Sequence, residues 1–248
     1  MKKIIITGFL LIFLFVPKED VTATEDVQSQ LFQLRAQLNS LLQILNSLLE
    51  QQDEVVGVED FVLDQFGVTE SEYDQCMNEN RFAQLVKDDH SFGSKLGVRG
   101  TPSTFILDHK KEDVVRISGG QSFNSIKILV DAIFEDHEDL EELYEGNYDL
   151  FPQEEFVRGD QDARLTFVEF SDIECPFCGR FHQVMKNVLE EYPEDVNWAY
   201  RHFPLSQIHP RAERVAQAVE CIGDLEGAES RWDALDALFE DRDLLEVL

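Results

Sequence analysis

The chain has 248 residues, 43% of them hydrophobic, enough for one full core and, by length alone, for two modest domains. Fifty acidic against twenty-one basic residues give a formal net charge of -29, spread along the chain, which excludes nucleic acid as a natural partner. Such a surface repels itself at low ionic strength, and molar salt, with a Debye length of about 3 Å, removes most of that cost. A salt-rich habitat is the preferred explanation; the alternative is charge kept for solubility.

Lys2 and Lys3 precede an apolar run from Ile4 to Val16, and Val21-Thr22-Ala23 offers a small-residue cleavage site. The run is shorter than the roughly 20 residues a membrane span needs, so residues 1–23 read as a signal peptide. The charged stretch from Pro17 to Asp20 leaves an uncleaved N-terminal anchor as the alternative. Both place the remainder outside the cytoplasm, where disulfides persist.

Residues 24–52 follow as a heptad-like stretch. Val27, Leu31, Leu34, Leu38, Leu41, Leu45 and Leu48 alternate spacings of four and three, without Pro or Gly. This predicts one helix of roughly 35 Å at 1.5 Å per residue. Two uses fit it: a coiled coil joining copies into a homo-oligomer, or a helix packed on its own domain. Leu42, Ile44 and Leu49 widen the apolar face and favour neither.

From Glu59 to Leu96 the pattern is helical and acidic, and Thr69 with Glu72 has capping-box spacing at the start of a helix carrying Cys76. The period then changes: TPSTFILD and VVRISGG read as strands, and FNSIKILVDAIFED as a helix. Residues 136–160, acidic with Gly146 and Pro152, look like a linker between segments 59–135 and 161–248. Beyond it come a strand at RLTFVEF, a helix from Pro176 to about Glu191, a strand at VNWAYRHFP, and helical spacing from Arg211 onward. Trp198 and Trp232 read as core residues, and His202 and His209 as loop-packing or surface residues.

Cys175 and Cys178, in ECPFCGRFH, sit at the junction of that strand and helix. There the unpaired N–H groups and the dipole of the helix stabilise a thiolate, and Pro176 costs no helical hydrogen bond. A zinc site would need a second close pair of ligands, which the isolated Cys76 and Cys221 do not supply, so no metal is expected. A purely structural bond across so short a loop gains little.

Three separated stretches, LTFVEFSDIECPFCGRFH, YRHFPLSQIHPRA and GVRGTPSTFILD, resemble the DsbA-type thiol-disulfide oxidoreductases of the thioredoxin superfamily. The resemblance implies an α/β thioredoxin-like fold with a helical insertion, acting on protein cysteines without a bound cofactor. A membrane partner that recycles the dithiol is implied by the resemblance alone. It places the nucleophile at Cys175, the resolving thiol at Cys178, a strand glutamate at Glu169 and the cis-proline loop at Thr101-Pro102. Glu169 interrupts an apolar strand: burial would raise its pKa and let it exchange a proton with Cys178, whereas an edge-strand carboxylate would face water. Thr101 and Pro102 would pair with an extended substrate beside Pro176 and Phe177. Phe177 departs from the histidine of strongly oxidising members.

The order of the pieces also departs from the family. There the dithiol half comes first, whereas here the strand-strand-helix half does, as in a circular permutation cut inside the helical insertion. The halves could close within one chain, pair between two chains as a swapped dimer, or belong to an incomplete product. Cys76 and Cys221 fall on stretches that the family packs together, so the resemblance implies a second disulfide between them, the alternative being two buried thiols. The competing functional reading is a noncatalytic peptide-binding or coiled-coil protein.

Overall fold

The structure is a computed structural model that describes residues 66–137, 140 and 157–241, with Leu34, Arg35, Gln37, Leu38 and 40–42. The signal-peptide reading, most of the 24–52 helix and most of the linker lie outside the described residues. Residues 1–55 and 56–248 form two compact units. The described positions of the first unit are helical, and Leu34, Leu38, Leu41 and Leu42 are exposed on it.

The second unit is built from α1 (Glu70–Asn78), α2 (Ala83–Lys95), β1 (Ser103–Asp108), β2 (Asp113–Ser118), α3 (Phe123–Phe134), β3 (Val157–Gly159), β4 (Leu165–Ser171), α4 (Pro176–Glu191), β5 (Val196–His202), α5 (Ala212–Glu226) and α6 (Ala228–Glu240). The local signals act as expected at several ends. Thr69 caps α1, exchanging bonds with the backbone and carboxylate of Glu72, and Ser122 caps α3 through the Ser125 N–H. The long helical pattern after Arg211 is two helices rather than one, because Gly227, at φ +99°, takes a backbone conformation that ends α5 and starts α6.

The five strands form one sheet in the order β2-β1-β4-β5-β3. β4 lies in the middle, parallel to β5 and antiparallel to β1, with Glu169 opposite Thr104 on one side and Tyr200 on the other. The sheet therefore joins the segment before the linker to the segment after it within one chain. All seven β4 residues are buried, which accounts for a strand with a single charged residue, Glu169, in it. At the far end of the strand, Arg164 clasps Asp108 of β1 through bonds of 3.1 and 2.9 Å.

Side chains alternate across β4 as the pleat requires. Phe167 joins Ile106, Trp198, Phe181 and Met185 in the larger core cluster, with α3 through α6 packed around it. Val168 and Phe170 join Phe105, Leu107 and Phe203 in a second cluster, covered by Phe92 and Leu96 of α2 and the turn after it. At Gly93 the helix approaches so closely that a Cβ would stand 2.7 Å from Phe170 Cδ1. Val157–Gly159, which composition places in the linker, are an edge strand antiparallel to β5. Trp198 and Trp232 are buried with ring centroids 4.8 Å apart.

Candidate active site

Cys175 is the N-cap of α4, in extended backbone, with Pro176 opening the helix. Its Sγ lies 3.7 Å from the carbonyl oxygen of Thr101, and the Thr101-Pro102 peptide bond is cis. The Pro102 carbonyl accepts from the Gly119 N–H at 2.9 Å, so the turn after β2 anchors the same loop. Two segments far apart in the chain thus meet at one sulfur. Cys175 is 4% exposed and Cys178 fully buried, while Phe177 between them stands 60% exposed with the Arg180 guanidinium 4.7 Å from its ring centroid.

The two thiols are pushed in opposite directions. A hydrogen bond from Cys178 brings Cys175 down from 9.0 to about 5, against the opposing effect of burial. The Thr101 side chain and the backbone N–H groups of Cys178 and Phe177 add to that stabilisation. Cys178 is raised, first by burial and then by its bond to Cys175 and the charge of Glu169. Glu169, the expected buried glutamate, is fully buried on β4, and desolvation lifts it from 4.5 to about 8. Ser171 and Trp198 oppose that rise only weakly, and neither closes a hydrogen bond to it. The reading of Glu169 as an edge carboxylate facing water does not hold, because β4 is the central strand.

Several supporting residues were missed in the sequence. Asp172 accepts from the N–H groups of Glu174 and Leu205 at 2.8 and 2.7 Å and bonds His209 Nδ1 at 2.8 Å. Glu174 accepts from the Arg211 N–H and Nε at 2.8 and 3.1 Å. These bonds fix the loop leading into Cys175 against the loop after β5. The only prior signal was two acids just before the cysteines, indistinguishable from the acidity elsewhere. His209 packs in the loop as expected. His202 is 1% exposed and bonds Glu220, which Arg231 also holds; against burial, the charge of Arg231 and the His202 bond keep Glu220 down at about 2.

Cys76 on α1 and Cys221 on α5 are joined by a disulfide, with Cα atoms 6.0 Å apart. It lies outside the site and ties the two segments together a second time. Among the described residues no group of three or more His, Cys, Asp or Glu side chains is placed to hold a metal. No helix among them is long and apolar enough to cross a membrane.

Comparison with known proteins finds partial relatives. The chain is 41% identical over 95 residues to the Na(+)/H(+) antiporter NhaA 1 of Mycolicibacterium gilvum, covering 38% of this chain and 15% of that one. It is 36% identical over 105 residues to the Na(+)/H(+) antiporter NhaA 3 of Salinispora tropica, covering 41% and 16%. The chain thus spans about 15% of the length of the curated relatives it matches. The crystal structure of Pseudomonas aeruginosa DsbA2 is 40% identical in sequence, with a TM-score of 0.33, over 35% of this chain and 47% of that one. Residues 152–244, which carry the Cys175-Pro-Phe-Cys178 motif, match the family described as thioredoxin.

Proposed function

We propose that this chain is a protein dithiol-disulfide oxidoreductase with Cys175 as nucleophile and Cys178 as resolving thiol. The observation that carries the reading is the opposed pair of thiols: one depressed at a helix N-terminus beside a cis-proline loop, one raised and buried beneath it next to a neutral carboxyl. In the reductive direction the Cys175 thiolate attacks one sulfur of a substrate disulfide. The S–S bond breaks, the other substrate sulfur leaves as a thiolate and takes a proton from solvent, and a mixed disulfide forms. Glu169, when ionised, accepts the Cys178 proton, and the resulting thiolate attacks Cys175 Sγ, breaks the mixed disulfide and expels the second substrate sulfur as a thiolate, which takes a proton from solvent. The chain ends oxidised by two electrons and the substrate reduced by two; the reverse sequence oxidises a dithiol. Thr101 and Pro102 offer backbone to an extended substrate, and Pro176 and Phe177 form the lip.

The same reading covers the chain's organisation. A DsbA-type fold in circularly permuted order is supported by one sheet receiving β1 and β2 from before the linker and β4 and β5 from after it. A workplace outside the cytoplasm is supported by the Cys76–Cys221 disulfide together with the signal-like N-terminus. The clients are proteins with cysteines, and a membrane redox partner returns the dithiol to its working state. The exposed leucines of the N-terminal helix support self-association there.

Insulin reduction and oxidation of a reduced model protein, each run with wild type and Cys175→Ser, test the reading. Turnover in either assay that the substitution abolishes supports it. Identical behaviour of the two proteins in both assays would make the chain a binding protein.

A further inference from the structure

A groove of about 770 Å³ runs between α2, the loop after β5 and α5. Its apolar wall is Phe203, Leu205 and Ile208; Ile208 is 70% exposed, and the His90 ring stacks on Phe203 at 4.2 Å. Lys87 and Arg99 supply positive charge, and Glu213 is the one carboxylate among the lining residues, already accepting from Ser206 Oγ at 2.8 Å. That balance inverts the chain's own, in which acids outnumber bases by fifty to twenty-one.

The cations of the groove differ from six arginines elsewhere in the fold. Arg81, Arg158, Arg164, Arg201, Arg211 and Arg231 each close on a carboxylate. Arg99 instead donates to the carbonyls of Ser94 and Val98, and neither it nor Lys87 has a carboxylate partner among the described residues. Two unneutralised cations on an apolar wall suit an occupant that carries carboxylates beside an apolar side chain.

Two of the groove's lining residues lead to the loops that hold the dithiol. Arg99 stands two residues before Thr101, whose carbonyl faces Cys175, and the Leu205 N–H is held by Asp172, three residues before Cys175. We infer that the groove is a client subsite: it takes an extended, acidic and apolar stretch of the substrate chain a few residues from the reacting cysteine. The inference rests on the oxidoreductase reading and adds to it a preference among clients. At about 0.15 M salt the Debye length is about 8 Å, so nearby Lys87 and Arg99 act on the bound segment while the distant acidic surface is screened.

The test uses the full chain and three synthetic peptides, each with one cysteine in disulfide linkage to a small thiol. One is flanked on both sides by alternating Glu and Leu, one by Gln and Leu, and one has no flanks. Exchange at Cys175 should be about 5-fold faster with the Glu peptide than with the Gln peptide at 0.15 M salt, the size expected of two exposed ion pairs. Lys87→Gln with Arg99→Gln should bring the ratio to about 1 and leave the unflanked rate unchanged. A wild-type ratio near 1, or one the double substitution does not alter, overturns the inference. Binding of a cysteine-free Glu and Leu peptide, followed through the Ile208 methyl signals, judges the groove without any redox chemistry: a saturable shift lost in the double variant supports it, and no shift sinks it. Failure of the unflanked exchange alone counts against the oxidoreductase reading and not against the groove.

Discussion

Replacing Glu169 by Gln keeps the shape of the buried side chain and removes its ability to ionise. In the folded protein the carboxyl titrates at about 8, and in an exposed chain at 4.5. Between those values the folded state holds a proton that the unfolded state has released, so stability falls as pH rises from 4.5 to about 8. Each pH unit is worth about 1.36 kcal/mol, so the penalty accumulates to on the order of 5 kcal/mol by pH 8. Glu169→Gln does not carry that penalty. Urea unfolding of the oxidised protein at fixed high salt, from pH 4 to 9, is the assay; oxidation removes the Cys175 titration, which slopes the opposite way. Wild type and variant should be nearly equal near pH 4, with the variant gaining steadily and levelling above pH 8. A difference that stays constant across that range would show Glu169 ionising normally and would refute the buried-acid assignment.

Three further outcomes follow from the same structure. Cys76→Ala with Cys221→Ala opens a loop of 145 residues, which the chain-entropy model values at about 5 kcal/mol, so the melting temperature should drop by roughly 10–20 °C in calorimetry. Alkylation of the reduced protein should label Cys175 with a half-maximal rate near pH 5 and spare Cys178 throughout, as read by peptide mass spectrometry; equal labelling would count against the helix-terminus geometry. With a net charge of -29, the melting temperature should climb steeply from low to molar salt, and a flat response would reduce the acidity to a solubility device.

What the sequence revealed divides along physical lines. β4 was legible because Leu165, Phe167, Val168 and Phe170 crowd a run with one charge in it, β5 because Val196, Trp198 and Tyr200 alternate, and α4 because Cys175 and Pro176 mark its start shortly after β4. β3 was not, since three residues that pair along one edge leave no period, and its anchor, the Arg158 bond to Asp236, joins residues 78 positions apart. The division of α5 from α6 rests on one residue, Gly227, which a helical pattern tolerates on paper. The dithiol was visible as local spacing, and its meeting with Thr101 and Pro102 was reached by resemblance, because no local rule joins residues 74 positions apart. The loop supports Asp172 and Glu174 were hidden by composition: in so acidic a chain, a carboxylate that holds backbone N–H groups looks like one that faces water.

The central claim is that Cys175 alone attacks substrate and Cys178 alone resolves. Trapping is its most direct measurement: Cys178→Ser and Cys175→Ser proteins are each incubated with an oxidised protein client, quenched with acid and mapped by mass spectrometry without reduction. The account predicts a stable mixed disulfide at Cys175 in the Cys178→Ser protein and none at Cys178 in the Cys175→Ser protein. Adducts of equal yield at both cysteines, or at neither, would contradict it.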